Sequence, residues 1–444
     1  MTPLLERVIR RARPPGTRHL LTFTSLTVAG QSEAVLSMLG LVALVRLAGA
    51  ERSGTLIFAQ ALASVWFLLL DPRLEDAAQR FVPIEQRRSG RGAALYARLL
   101  GWDVAIGAAA SGAGLVLVLG ARLLGWATDD LALMLALAVV SGGAAASTGA
   151  AGAAFALTDR LRAFGVLRLR CTAVSVALAL GGLLALGPAG YLAGQAAGAI
   201  VTAAVLGRLS LRVVRADMGT VAGTGPAAAD VPMPAGLAGF TLKASASTSV
   251  AAASESGVLA LAGLLGDPAL VTVLKLASAP GRLYTTLISP VASMLHPRLA
   301  RAATAGETAP IRRDVLRSTL LLGAAGAGAL AVAVPVMGEA LGLVYGAVYA
   351  QAGQTALLLL AVACVKGGVS WSKVLPLALG RPAWRLTYLS VEGVSLLALL
   401  FAADRLAPGA LPTSVAFGWG SLALAVLGSG VWITLMRGLT AADE

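Results

Sequence analysis

Apolar runs of roughly 20 residues, long enough to cross about 30 Å of hydrocarbon as a helix, recur from one end of this chain to the other. No other feature restricts the fold so severely. Backbone immersed in lipid has to satisfy its own hydrogen bonds, and runs of this length do so as helices. A soluble chain of 444 residues would need far more polar surface than 13% charged residues provide at 57% hydrophobic content and a mean hydropathy of +0.81. The expected fold is an all-α polytopic membrane protein.

Windows between charged punctuation predict twelve spans: 20–45, 55–71, 100–121, 131–157, 166–187, 188–207, 237–265, 269–296, 318–338, 351–379, 384–403 and 413–436. The basic start "RVIRRARPPGTRHL" precedes an apolar stretch too long for a signal-peptide core and reads as the approach to the first span. An even count puts both ends on one side. With both ends cytoplasmic, the inner segments hold 26 of the 35 Lys and Arg and the outer turns hold four. That asymmetry is the positive-inside pattern, and it also accounts for the net charge of +13. No nucleic-acid-binding motif accompanies the charge, so nucleic acid is not an expected partner.

Cys171 and Cys364 lie in apolar runs and read as small core residues. His19 and His296 are too few and too far apart for a metal site. No metal and no cofactor are expected, and no Gly-x-x-x-x-Gly-Lys-Ser/Thr motif for ATP is present.

The stretch "RADMGTVAGTGPAAADVPMP" (215–234) is rich in Gly, Ala and Pro and reads as a cytoplasmic linker between two groups of six spans. The expected organisation is a first six-helix bundle over 1–214, a linker over 215–236 and a second bundle over 237–444, arranged around a central cavity. Internal similarity supports the division. "LAGAERSGTLIFAQALAS" (47–64) and "LAGLLGDPALVTVLKLAS" (261–278) agree at seven of eighteen positions without gaps, and each holds the first outer turn of its half.

With charges near span ends (Asp71, Arg168, Arg170 and Arg385) assigned to the flanking segments, nine charged residues remain inside the expected spans: Glu33, Asp103, Lys243, Glu255, Lys275, Arg282, Lys366, Lys373 and Glu392. Each costs roughly 2.5–3.5 kcal/mol at a helix centre, so they should face a cavity or one another. Asp103 and Lys243 lie near cytoplasmic helix ends and are expected to snorkel. At about 1.5 Å per residue from the turn at Gly266–Pro268, Lys275 is roughly 10 Å deep, Glu255 about 16 Å and Arg282 about 20 Å. Lys275 and Arg282 are seven apart on one helix face, and Lys366 and Lys373 repeat that spacing on the tenth span. Glu255 can neutralise only one of these cations. The four together imply a cationic cavity suited to an anionic ligand. Glu33, Glu255 and Glu392 are candidates for ion coupling or for structural pairing, and Glu33 shows no evident cationic partner in the first half.

The chain resembles polysaccharide (O-antigen-type) flippases of the multidrug/oligosaccharidyl-lipid/polysaccharide exporter superfamily. The segment "RLAGAERSG", with Arg46, Gly49 and Gly54, is similar to that family's Arg-x-Leu-Gly-x-x-x-x-Gly turn, with Ala48 replacing the usual Leu. "DPRLEDAAQRF" is similar to its Asp-x-Gly-Leu segment followed by Arg, matched at Asp71 and Arg80, with Arg73 where Gly is usual. "SPVASMLHPRLAR" (289–301), "VYGAVYAQAGQTALLLLA" (344–361) and "LALGRPAWRL" (377–386) follow in the family's order. The resemblance implies a non-enzymatic carrier in the bacterial cytoplasmic membrane. By alternating access it would move undecaprenyl-pyrophosphate-linked oligosaccharide from the inner to the outer leaflet. The driving force would be an ion gradient (Na+ or H+), the membrane potential or consumption of product outside; a polysaccharide polymerase and glycosyltransferases would be partners, and a monomer is expected because both halves lie in one chain. A cation-coupled multidrug exporter of the same superfamily is the alternative, although such a cavity would be expected to carry more acids and aromatics. A membrane glycosyltransferase would need longer outer loops than this chain has.

Overall fold

The computed structural model describes residues 15–70, 72, 74–219, 233–304, 307–379 and 381–441, and no strand occurs among them. The basic stub before residue 15, Asp71, Arg73 and most of the expected linker (220–232) lie outside the described residues, as does the side chain of Lys243.

Helix α1 (Pro15–Leu70) is two spans joined at Gly49, whose φ of 78° and ψ of 174° reverse the chain without a loop. The two arms then meet, with the Ser53 hydroxyl donating to Leu44 O at 3.4 Å. Helix α2 (Leu74–Ser89) is short and amphipathic, carries Glu75 and Asp76 in its first turn and Arg87 and Arg88 in its last, and so follows its own dipole. The third span, α3 (Gly92–Leu123), is followed by a fourth made of α4 (Asp129–Ala146) and α5 (Thr148–Leu157), interrupted at Ser147. Helix α6 (Leu161–Met218) is again two spans, hinged at Gly187, with φ of 68°, just before Pro188. Its arms fold back antiparallel, with Gly182 against Gly190 and Ser175 against Gly198. Met218 ends α6 inside the segment expected to be linker.

The second half repeats the pattern with α7 (Leu237–Leu264), α8 (Pro268–Ala277) and α9 (Ala279–Thr304). These are followed by α10 (Thr308–Tyr345), α11 (Gly353–Gly368), α12 (Leu375–Ala378), α13 (Pro382–Leu406) and α14 (Ala410–Ala441). Eight stretches of the described residues are long and apolar enough to cross a membrane, and two of them, at 58 residues each, hold two crossings: Ser32–Ser89, which covers most of α1 together with α2, and Leu161–Met218, which is α6. With α7 and the α8–α9 pair, the crossings number twelve. Large apolar side chains such as Val116, Leu184, Val332 and Leu427 stand exposed along the spans, as a hydrocarbon-facing surface requires.

Besides the fourth span, two more expected helices are discontinuous. The tenth span ends as an α-helix at Gly368 and passes through a 3-10 turn at Ser370–Lys373, so Lys366 and Lys373 do not share the face of one helix. Consecutive Gly367 and Gly368 weaken the helix there. The eighth span breaks at Ser278, where Pro280 has no amide hydrogen to continue the ladder.

The halves are joined through shared apolar clusters. One packs Ile57 and Ala61 of α1 with Val258, Leu259 and Ala262 of α7 and with Leu270, Val271 and Leu274 of α8. Another sets Val45 against Val273, Leu276 and Ala277.

Candidate functional site: an interhelical cavity and its closed end

A cavity of about 690 Å³ lies among α1, α3, α4, α5 and α6, with α7 and α8 completing its wall. It runs from Ile57 and Lys275, beneath the turn that joins the arms of α1, to Leu70, Pro72 and Glu75 at the opposite, Arg-rich end. The break between α4 and α5 lies in the wall, where Ala145, Ala146, Thr148 and Gly149 leave space by being small. Midway, Gln60 Nε2 donates to Gln195 Oε1 at 2.6 Å, tying α1 to α6 across the cavity lining. Neither glutamine is visible to a search for charges, although an amide within a 20-residue apolar run is itself a signal.

Of the four expected cavity cations, only Lys275 lines this space. Its ammonium is within coulombic reach of both Arg282 and Glu255. Arg282 is paired: its Nε is 2.9 Å from Glu255 Oε1, and its Nη2 donates to Ser278 Oγ at 3.1 Å. Lys366 pairs with Glu392 of α13, and Lys373 is within reach of Lys366, Arg385 and Glu392. Two acids, not one, therefore face the cations of the second half, and its charges form two separate groups. Glu33 also has a cation: Arg168 Nε of α6 lies 2.9 Å from its Oε1. Arg168 stands near the edge of the expected span 166–187, but α6 begins at Leu161 and carries it into the bundle. Asp103 does not snorkel. Helix α3 begins at Gly92, eight residues before the expected span, so Asp103 falls well inside it, 2% exposed and on the cavity wall.

The end of the cavity nearest the Gly49 turn is closed by contacts between the two halves. Arg46 Nε donates to Val344 O at 2.8 Å and its Nη2 to Leu343 O, so one guanidinium caps the carbonyl end of α10, where the dipole favours a cation. Thr272 donates to Ala50 O at 2.6 Å. Gly54 lies directly against the Pro268 backbone, and Gly263 against the Phe58 ring. In the ungapped alignment of 47–64 with 261–278, Gly54 stands opposite Pro268 and Phe58 opposite Thr272. The similar segments thus pack on each other about a local two-fold, each reaching the other's turn. At the Arg-rich end, the Arg80 guanidinium sits 4.6 Å from the Phe240 ring centroid, holding α2 against the start of α7.

No protein-family model matches the sequence, and no curated protein does. Solved structures do match. A multidrug resistance MATE family transporter of the MOP superfamily in its inward-facing conformation superposes with a TM-score of 0.71 at 10% identity, covering 93% of this chain and 96% of that one. The lipid II flippase MurJ in an inward closed conformation gives 0.66 at 12% identity, over 92% and 87%. A multidrug resistance MATE family transporter in its outward-facing conformation gives 0.63 at 12% identity, over 95% and 96%. The chain thus shares the fold of these MATE/MOP transporters, twelve helices in two bundles, and of the MurJ flippase.

Proposed function

We propose that the chain flips an undecaprenyl-pyrophosphate-linked oligosaccharide from the cytoplasmic to the outer leaflet of the bacterial cytoplasmic membrane, for surface polysaccharide assembly. Both termini would be cytoplasmic, as the Arg-rich loops require, and the present conformation would then open inward. The observation that carries this reading is Lys275: the one Lys or Arg among the described lining residues, on a wall that also presents amides, hydroxyls, apolar groups and the carboxylates of Glu75 and Asp103. An ammonium on such a wall makes charge-assisted contacts to a pyrophosphate, while amides and hydroxyls suit sugars. Twelve helices in one chain supply both halves of an alternating-access carrier, so a monomer suffices. Glu33, Glu255 and Glu392 each meet a cation in this conformation. Coupling to Na+ or H+ would require one of those pairs to open. The polymerase and glycosyltransferases that share this lipid substrate would be its functional partners.

The test is deletion of the gene in its native host, with lipid-linked oligosaccharide and surface polymer measured together. Accumulation of the lipid intermediate with loss of polymer, restored by wild type but not by Lys275→Ala, supports the reading. The carboxylates Glu75 and Asp103 on the cavity wall favour a second reading, cation-coupled multidrug export. A deletion strain that keeps its polymer and becomes drug-sensitive would establish that one instead.

A further inference from the structure

The cavity wall divides by chemistry along the boundary between the halves. From the second half comes Lys275, together with Ser256 and Leu259. The first half contributes no Lys or Arg among the described lining residues; its polar groups are Gln60, Gln195, Ser64, Ser141 and Thr148, with Glu75 and Asp103. Both carboxylates have partners within the protein. Resting on the flippase reading, we propose that the first-half wall is a sugar subsite selective for uncharged sugars, with the pyrophosphate on Lys275.

The hydrogen-bond inventory supports this division. The bond from Gln60 to Gln195 uses one N–H of the first amide and one lone pair of the second. Each amide retains donor and acceptor capacity, and a sugar hydroxyl is both donor and acceptor. The pair is held between α1 and α6, so the groups are oriented before substrate arrives. Charge decides the selectivity. The pyrophosphate occupies the one cation among the described lining residues, and a uronic or other acidic sugar against Gln60 and Gln195 would leave water without a counter-charge. Size sets a further bound. A volume of about 690 Å³ falls in the range of sites that enclose compact ligands, so the headgroup is a few sugar residues and not a polymer.

The experiment uses the purified full-length chain in proteoliposomes. One lipid probe is a polyprenyl pyrophosphate carrying a fluorescent neutral trisaccharide. A second is identical except that a hexuronic acid replaces one hexose, and a third carries no sugar. The neutral lipid should cross at least roughly tenfold faster than the uronate lipid. Gln60→Ala/Gln195→Ala should slow the neutral lipid by roughly tenfold while leaving the sugar-free pyrophosphate unchanged. Gln195→Lys should raise the uronate rate, a gain that a misfolded protein cannot produce. Equal rates for the two sugar lipids, or no gain with Gln195→Lys, would overturn the sugar subsite and leave the flippase reading standing. If neither lipid moves faster than in protein-free vesicles, the flippase reading falls and the subsite with it.

Discussion

Gly54 packs on Pro268 so closely that a methyl group at position 54 would overlap the Pro268 carbonyl. Both residues open the second crossing of their own half, and they occupy matching positions of the internal repeat. Closing this end of the cavity therefore depends on the absence of one side chain. Gly54→Ala should disfavour the sealed state by about 1–3 kcal/mol, the range for overpacking. A Cys placed at Ala50 in that background should react with an impermeant maleimide from outside at least about tenfold faster than in the wild type. Unchanged labelling would mean the seam forms elsewhere.

Arg46 closes the same end through a different kind of contact. Its fork spans two successive carbonyls of α10, which an ammonium cannot reproduce. Arg46→Lys should raise outside labelling of Val344→Cys several-fold, and Arg46→Ala more. Because Arg46 is exposed, the effect should stay near 1 kcal/mol, well below that of Gly54→Ala at its upper range.

Lys366 and Glu392 should behave as a structural pair. Glu392 is only 12% exposed, so Lys366→Met leaves a carboxylate with its nearest counter-charge removed and should lower the melting temperature by several degrees. The double variant Lys366→Met/Glu392→Leu should recover most of that loss in detergent melts. Recovery of stability without transport would instead assign the pair to the transport cycle.

Arg282 and Glu255 should respond more weakly, since they are 40% and 65% exposed. Arg282→Met should shift the melt by only a few degrees, and Glu255→Leu should offset it. Lys275→Ala, in contrast, should leave the melt unchanged and abolish flipping of lipid-linked oligosaccharide. The contrast between melting and transport separates the cavity residue from the paired one.

The count of crossings and the reversals at Gly49 and Gly187 were legible because hydrocarbon thickness and charge punctuation are properties of a one-dimensional string. The repeat was legible as well, though not that its two copies touch. The breaks at Ser147, Ser278 and Gly368 were obscured because apolar content continues through them and hydropathy does not register helix geometry. Partners on other helices were beyond reach: nothing in the spacing joins Glu33 to Arg168 or Lys366 to Glu392. A net count of charges consequently overstated the cationic character of the cavity. The amides Gln60 and Gln195 were passed over because they interrupt no apolar run. The resemblance to flippases carried Arg46, Gly49 and Gly54, and the structure supplies each with a physical task at the closed end.

That closed end has an electrical consequence. In the proposed carrier, a cavity open to water on the Arg-rich side would share the voltage of that side, so the membrane potential would fall mainly across the layer between the cavity and the Gly54–Pro268 contact. Each 100 mV there amounts to about 2.3 kcal/mol per elementary charge. Lys275 lines the cavity about two turns from Pro268, at the inner edge of that drop. If the seam opens and the opposite end closes during transport, the steep part of the field would move to the other side of its ammonium. Lys275 would then serve as a gating charge that need hardly move, because the field would be carried past it.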